Sequence, residues 1–115
     1  MNLNNILIGS EDPQRLWDYY TSLFGKPGWE DNDFQGWQIG SGFISVGAHS
    51  EVKGKSAHPG RIILNIESSD VSGDFEKLKS AGAIVVQEPY QPAEGYWVAT
   101  LSDPDDNYFQ LVSPM

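Results

Sequence analysis

The chain repeats one order of predicted elements, and this repetition constrains the fold more than any single segment does. Each half reads as a strand, an amphipathic helix and three further strands. Gly25 and Gly82 occupy corresponding places as the predicted helix ends. One copy cannot bury both faces of its sheet, so two copies must combine. We therefore predict one α+β domain over residues 1–115, with modules over about 1–56 and about 57–115.

Helix caps and apolar spacing locate the two helices. In the first half, Asp12 suits an N-cap, Pro13 suits the first turn, and Leu16 begins an apolar stripe. In the second half, residues 68–70 form a cap cluster, and Phe75 lies on the apolar stripe. Strands are predicted over residues 3–8, 29–33, 36–39, 43–48, 61–66, 83–87, 96–101 and 107–112, with a polar linker over 50–60.

Alternation along the predicted strands divides their side chains between two faces. One face is almost wholly aliphatic, and we expect it to pack on the helices. The other face mixes apolar and polar side chains, as a ligand cleft does. We interpret this face as a concave, partly covered surface rather than as the solvated side of an open sheet. Its members are Leu3, Asn5, Leu7, Phe43, Ser45, Arg61, Ile63, Asn65, Tyr108, Gln110 and Val112.

Composition excludes several classes of function. The net charge of −9 repels the phosphates of nucleic acids and anionic membrane surfaces, and it favours a cationic small molecule. The absence of cysteine excludes disulfides and thiolate chemistry and fits a reducing cytoplasm. The first residues lack the basic and apolar segments of a signal peptide, and no apolar run approaches the roughly 20 residues of a membrane span. We expect a cytoplasmic protein that binds neither nucleic acid nor membrane.

Several short stretches, in this order, resemble the vicinal oxygen chelate superfamily, which includes glyoxalase I, extradiol dioxygenases and bleomycin-resistance proteins. The nearest likeness is to its lactoylglutathione-lyase-related group. The fold that this implies is two βαβββ modules forming curved mixed sheets with outer helices. Asp106 stands where the family usually has glycine in the turn before its last strand, which should strain the turn without abolishing it. The matching stretches are residues 12–20, 24–27, 58–62, 69–71 and 103–107, with Gly82.

The resemblance also implies where a metal would bind. In metal-dependent members, each module supplies two ligands, one from its first strand and one from its last. By this correspondence the four positions fall on Asn5, Ser45, Ile63 and Gln110. Divalent metals of this kind need imidazole or carboxylate donors, whereas Ile63 has no donor and the other three are neutral. We therefore expect no metal and no other cofactor.

In the bleomycin-resistance branch, ligands stack on aromatic side chains in an acidic cleft, which implies a similar site here. We assign stacking to the aromatic candidates, hydrogen bonding to the amides, and the pairing of an anionic ligand to Arg61. That last role conflicts with the cationic ligand favoured by the net charge, and both alternatives stay open. The candidate ligand-binding residues are Asn5, Trp37, Phe43, Ser45, Arg61, Ile63, Asn65, Trp97, Tyr108 and Gln110.

The resulting prediction is a metal-free protein that binds or sequesters a small organic molecule in an aromatic-lined cleft, and the resemblance implies a homodimer. One alternative is a metal-dependent lyase, isomerase or dioxygenase of the glyoxalase I type. Another is a metal-free acid–base enzyme, for which His49 is the catalytic candidate because Glu51 is near in sequence. A third is a dimerisation or regulatory module without a small ligand.

Overall fold

The computed structural model describes residues 1–114, which form two compact units. The first unit spans Met1–Gly54, and the second begins at Lys55. The predicted module boundary falls slightly later, between residues 56 and 57. Met115, the last residue of the predicted second module, lies outside the described residues.

The first unit has the element order strand, helix, strand, strand, strand. Its sheet runs β1-β4-β3-β2, with β1 parallel to β4 and the other pairs antiparallel. The strand β1 is therefore at one edge, beside the last strand of its own module. The elements are β1 (Ile6–Ser10), α1 (Pro13–Phe24), β2 (Trp29–Glu30), β3 (Phe34–Ile39) and β4 (Gly42–Ala48).

The second unit repeats this order after a short 3-10 turn. Its sheet runs β5-β8-β7-β6, with β5 parallel to β8 and the other pairs antiparallel. The two units together confirm the predicted pair of βαβββ modules with mixed sheets. The elements are the 3-10 turn (Pro59–Arg61), β5 (Ile63–Glu67), α2 (Val71–Ser80), β6 (Ile84–Ala93), β7 (Tyr96–Ser102) and β8 (Tyr108–Val112).

Each helix packs on one face of the sheet of its own module. The helix α1 contacts β1, β3 and β4 and buries Leu16 and Tyr20, while α2 contacts β6, β7 and β8 and buries Val71 and Phe75. This burial accounts for the apolar residues that β1, β4, β7 and β8 direct towards the helices. Within residues 1–114, neither α-helix has the length and hydropathy required to cross a bilayer.

Both helices begin with the same arrangement of side chains, which confirms the predicted caps. The Ser10 hydroxyl accepts a hydrogen bond from the Asp12 backbone N–H (3.0 Å), and the Ser68 hydroxyl accepts one from the Asp70 N–H (3.1 Å). The Asp70 carboxylate in turn accepts from the Gly73 N–H at 3.0 Å. These contacts satisfy amide groups that have no partner within the helix. The sequence repeat is therefore also a repeat of hydrogen bonding.

The turn before β8 is organised by the fully buried carboxylate of Asp103. Its Oδ1 accepts hydrogen bonds from the backbone N–H groups of Asp105 (2.9 Å) and Asn107 (3.0 Å). The Asn107 side-chain amide donates to the same carboxylate. Asp106 has a φ of 62°, a left-handed conformation that glycine adopts without strain. The strain expected at the position of the family glycine is therefore present.

The strand predicted over residues 3–8 is observed at Ile6–Ser10, so Leu3 and Asn5 precede it. Three other predicted strands differ from the observed ones in length or in type. Residues 61–66 were expected to be extended, but Arg61 ends the 3-10 turn, in which its backbone N–H donates to the His58 carbonyl at 3.0 Å. The strand predicted over 83–87 continues to Ala93, with three irregular steps in its pairing to β7. The strand predicted over 29–33 is only Trp29–Glu30. Proline explains the first two cases, because Pro59 suits a helical first turn and Pro89 is tolerated on an edge strand.

Candidate functional site

The side of the first sheet opposite α1, which we call the first open face, is apolar and rich in aromatic groups. Backbone register places Trp29, Gly36, Ser45 and Leu7 in one row across its four strands. Among the residues of β1 to β4, which the structure describes in full, Glu30 carries the only charge. It pairs with Gln35 and lies on the helix-facing side. The members of the first open face are Leu7, Gly9, Trp29, Phe34, Gly36, Gln38, Phe43, Ser45 and Gly47.

Two phenylalanine rings lie directly over glycines of this face. A Cβ placed on Gly36 would meet the Phe43 ring, and a Cβ placed on Gly47 would meet the Phe34 ring. The glycines thus leave space for the rings to lie against the backbone. Both phenylalanines are half-buried, whereas Trp29 and Leu7 are 48% and 50% exposed. The sequence prediction included Phe43 and missed Trp29 and Phe34. Each of the two missed residues pairs across strands with a glycine, Trp29 with Gly36 and Phe34 with Gly47. An aromatic residue near a strand glycine is the feature that could have identified them.

Asn5 and Ser45, the two positions that correspond to metal ligands in the first module, bond to each other. The Ser45 hydroxyl donates to Asn5 Oδ1 at 3.0 Å, and the Asn5 amide donates to Asn4 Oδ1 at 2.7 Å. Ser45 is buried, and Asn5 lies just before β1 and is exposed. The structure therefore brings these two predicted site residues together as a neutral hydrogen-bonded pair.

His49 follows β4, at the end of the first open face. Its Cβ approaches the position that a Cβ on Gly9 would occupy to 3.0 Å. Its Nδ1 accepts a hydrogen bond from the backbone N–H of Glu51 at 3.2 Å, so the contact between these residues uses the Glu51 backbone rather than its carboxylate. The His49 side chain is exposed. This contact is therefore not the buried pair of a His49 imidazole and a Glu51 carboxylate that the acid–base alternative requires.

The side of the second sheet opposite α2, which we call the second open face, is arranged in rows of contrasting polarity. One row contains Ile63, Tyr108 and Ser102, and the next contains Asn65, Gln110 and Thr100. The Gln110 Nε2 donates to Thr100 Oγ1 at 2.9 Å. The members of the second open face are Ile63, Asn65, Glu67, Ile84, Gln87, Tyr90, Ala93, Tyr96, Val98, Thr100, Ser102, Tyr108, Gln110 and Val112.

Irregular pairing brings two further residues of β6 to this face. Val85 pairs with Leu101 on the helix-facing side, and simple alternation would place Gln87 on that side too. An extra residue between them shifts the register, so Gln87 pairs with Thr100. A second shift brings Tyr90 opposite Val98. Strict alternation could not predict either position, although the two prolines of this segment, at 89 and 92, were a signal for irregular pairing.

Two of the predicted aromatic walls lie on the helix-facing sides. Trp37 pairs with Ile44, its ring centroid is 5.8 Å from that of Tyr20, and its Nε1 donates to the Gly25 carbonyl at 2.9 Å. It is 2% exposed and belongs to the core. Trp97 alternates with the open-face residue Val98, and its side chain is 38% exposed at the strand end. We correct both assignments, because strand parity turns these side chains away from the open faces.

Arg61 is also placed differently from the prediction. It ends the 3-10 turn before β5, and it is exposed. It is therefore not a strand residue of the second open face, and the alternation that grouped it with Ile63 does not apply.

The side chains at the positions implied for a metal do not fit a divalent ion. The first module offers the neutral oxygens of Asn5 and Ser45, and the second offers Gln110 beside Ile63, which has no donor atom. The Gln110 amide and the Ser45 hydroxyl already donate to side chains of their own modules. Among residues 1–114, no group of three or more His, Cys, Asp or Glu side chains is placed to hold a metal ion. Carboxylate or imidazole donors, which such ions require, are missing at these positions.

Residues 5–112 match the family described as the glyoxalase-like domain, and the chain belongs to that family. This match covers both βαβββ modules and agrees with the resemblance to the vicinal oxygen chelate superfamily. A comparison with curated protein sequences gives no match.

Solved structures with this fold share low sequence identity with the chain. A glyoxalase/bleomycin resistance protein/dioxygenase family enzyme from Burkholderia phytofirmans PsJN is 22% identical, with a TM-score of 0.76 and full coverage of both chains. A glyoxalase-related enzyme from Fulvimarina pelagi is 17% identical, with a TM-score of 0.77, covering 99% of this chain and 88% of the other. The fosfomycin resistance protein FosX from Listeria monocytogenes is 15% identical, with a TM-score of 0.73, covering 100% and 94%. These likenesses establish the fold.

Proposed function

We propose that this chain is a small-molecule-binding protein that works without a metal, and that its first open face holds the apolar part of an organic ligand. The observation that carries the proposal is the pair of phenylalanine rings lying over Gly36 and Gly47. A ring in this position presents its outer surface to whatever lies above the sheet. Planar apolar groups pack favourably on such surfaces.

Exposure and charge support this assignment. Leu7 and Trp29 flank the Gly36–Ser45 pair and remain about half exposed, at 50% and 48%. An apolar surface of this kind on a sheet face marks an interaction site more often than an ordinary solvated surface. The residues that form this face are uncharged. Affinity would therefore come from apolar burial, with the Asn5–Ser45 pair orienting the ligand.

An uncharged dye, N-phenyl-1-naphthylamine, provides a direct test, because its fluorescence rises when it enters an apolar site. We expect saturable binding to the wild type, weakened about fivefold by Leu7→Gln, since a half-exposed leucine contributes about 1 kcal/mol of apolar contact. The matched control is Ile62→Gln, an exposed isoleucine that precedes β5, outside both open faces. Equal affinity of the two variants, or no saturable binding to the wild type, would refute the proposal.

The alternative of a metal-dependent lyase, isomerase or dioxygenase makes a different prediction. It requires stoichiometric Zn, Ni, Fe or Mn in protein purified without chelators, together with a loss of that metal when Gln110 or Ser45 is replaced. Our proposal expects neither. An acid–base enzyme is distinguished by turnover that His49→Ala abolishes without unfolding the chain.

We also propose that the protein is a cytoplasmic homodimer. The dimer is an implication of the resemblance, and the exposed side chain of Ile6 on the edge strand β1 is compatible with it. Light scattering coupled to size-exclusion chromatography measures the mass directly. A monomer over the micromolar range would contradict this part of the proposal.

A further inference from the structure

The second open face contains a row of neutral polar side chains that runs across three adjacent strands. Asn65 of β5 lies beside Gln110 of β8, which lies beside Thr100 of β7. We call these three residues the amide row. Thr100 is buried, Gln110 is half-buried and Asn65 is exposed, so the row runs from the sheet interior towards its edge. Polar groups aligned in this way within a sheet face are suited to reading hydrogen bonds of a ligand.

One internal hydrogen bond fixes the orientation of the central amide. The Gln110 Nε2 donates to Thr100 Oγ1 at 2.9 Å, which uses one of its two N–H groups. The carbonyl oxygen and the second N–H of Gln110 are then held in a defined direction. Asn65, one strand away, adds a carboxamide of its own. Together the two amides present an acceptor and donors at neighbouring positions.

Apolar groups border the amide row on both sides. The preceding row contains Ile63 and Tyr108, and the following row contains Val98 and Val112. Val98 and Val112 are buried, so the half-buried Ile63 and Tyr108 are the groups that can contact the flat carbon surface of a ligand whose polar edge bonds to the row. Gln87 pairs with Thr100 from β6, but its amide donates to the Glu88 carbonyl at 3.3 Å. It is therefore not included in the row.

Charge selects among ligands for this surface. The amide row and the row containing Tyr108 and Ile63 hold neutral side chains, and the nearby charged residue on this face is Glu67, which pairs with Val112. A carboxylate or phosphate ligand would meet no cation in these rows and would approach a protein of net charge −9. An uncharged ligand avoids both costs, whereas a cation would lose its hydration against the neutral side chains of these rows.

We infer that the amide row binds an uncharged ligand through a carboxamide or lactam edge, whose adjacent C=O and N–H pair with Gln110 and Asn65 while its ring packs against Tyr108 and Ile63. This inference goes beyond the proposed function, which concerns the first open face, because it assigns a ligand class to the second open face. Paired donors and acceptors discriminate strongly, since a ligand lacking one partner leaves a protein group unsatisfied.

The test compares benzamide with acetophenone, which has nearly the same shape and a carbonyl group but no N–H. Titration of ¹⁵N-labelled protein should shift the side-chain NH₂ signals of Asn65 and Gln110, with benzamide binding about fivefold or more tightly than acetophenone. Benzoate, the charged analogue, should bind more weakly than benzamide. Equal binding of benzamide and acetophenone would overturn the inference.

Variants of the amide row test which side chains produce the preference for benzamide. Gln110→Met keeps the side-chain length without the amide and should abolish the preference for benzamide. Asn65→Leu, at an exposed position, should reduce it and serves as the second variant if Gln110→Met fails to fold. Gln14→Met, an exposed glutamine of α1, is the matched control and should retain the preference. A preference that survives in both amide-row variants would also overturn the inference.

The benzamide experiment and the dye experiment can fail separately. If the naphthylamine dye binds and Leu7→Gln weakens it, but benzamide shows no preference, the assignment of the amide row fails and the proposed function stands. If neither the dye nor benzamide binds, both fail.

Discussion

The Ser45 hydroxyl donates a hydrogen bond to Asn5 Oδ1 across 3.0 Å, joining the two positions where metal-dependent relatives would place their first-module ligands. In the second module, Gln110, which takes the corresponding place in its last strand, likewise donates to a neutral partner, Thr100. In both modules the polar group is thus satisfied by a neighbouring side chain. These positions are built as neutral hydrogen-bonded pairs, which suits recognition of a ligand better than coordination of an ion.

Added divalent metal should leave the stability of the protein almost unchanged. A site whose dissociation constant is a hundredfold below the free metal concentration would stabilise the folded state by about 2.7 kcal/mol, which thermal unfolding detects easily. We expect no such shift with Zn²⁺ or Ni²⁺, because the required donors are missing. The variant His49→Ala, His58→Ala controls for weak binding at exposed histidines. A stabilisation that persists in this double variant would contradict the prediction.

Gly36→Ala should be destabilising, because its methyl group would collide with the Phe43 ring. Overpacking of this kind costs about 1–3 kcal/mol, to be measured by urea unfolding. Gly42→Ala in the neighbouring strand is the matched control, since its nearest neighbour is the Ile39 carbonyl oxygen at 3.5 Å. Combining Gly36→Ala with Phe43→Leu should restore part of the loss. Equal stability of the Gly36 and Gly42 variants would show that the ring does not lie over the glycine.

Replacing Asp103 and replacing Asp106, both in the turn before β8, should have opposite effects on the free energy of unfolding. Asp103→Ala should lower the free energy of unfolding by about 2–4 kcal/mol, because several N–H donors lose a buried charged acceptor. Asp106→Gly should be neutral or stabilising by up to about 1 kcal/mol, because glycine adopts a φ of 62° without strain. Urea unfolding of both variants measures the difference. A destabilising Asp106→Gly would mean that the Asp106 side chain contributes more than its backbone strain costs.

Trp37 and the dye-binding surface should respond independently to mutation. Trp37→Phe removes the hydrogen bond to Gly25 and part of the core volume, so we expect a loss of about 1–3 kcal/mol in unfolding free energy. Dye affinity should be unchanged, because Trp37 faces the helix. Trp97→Phe, at a more exposed position, should cost less than about 1 kcal/mol. A large loss of dye affinity in folded Trp37→Phe would place this residue near the ligand after all.

Strand parity predicted on which side of its sheet a candidate residue lies wherever the strand is regular. Ser45, Ile63 and Gln110 lie on the predicted side of their sheets, since β4, β5 and β8 pair without interruption. Parity fails where an element changes type or register. Arg61 lies outside the second open face because its segment forms a turn, and Gln87 lies on that face because an extra residue shifts β6 against β7. Parity within β3 alone does not say which of its two faces meets the helix. The pairing of Trp37 with Ile44 places Trp37 on the helix-facing side.

The sequence by itself determined the two βαβββ modules and the helix caps, because these depend on local spacing and on turn residues. It also shows that Asn5, Ser45, Ile63 and Gln110 stand at the positions that the resemblance implies for a metal. Only the tertiary structure decided which residues meet. Phe43 lies over Gly36, Ser45 bonds Asn5, and Gln110 is oriented by Thr100. These contacts join different segments of the chain, and register between strands brings such residues together. Register is a property of the assembled sheet, which no single segment specifies.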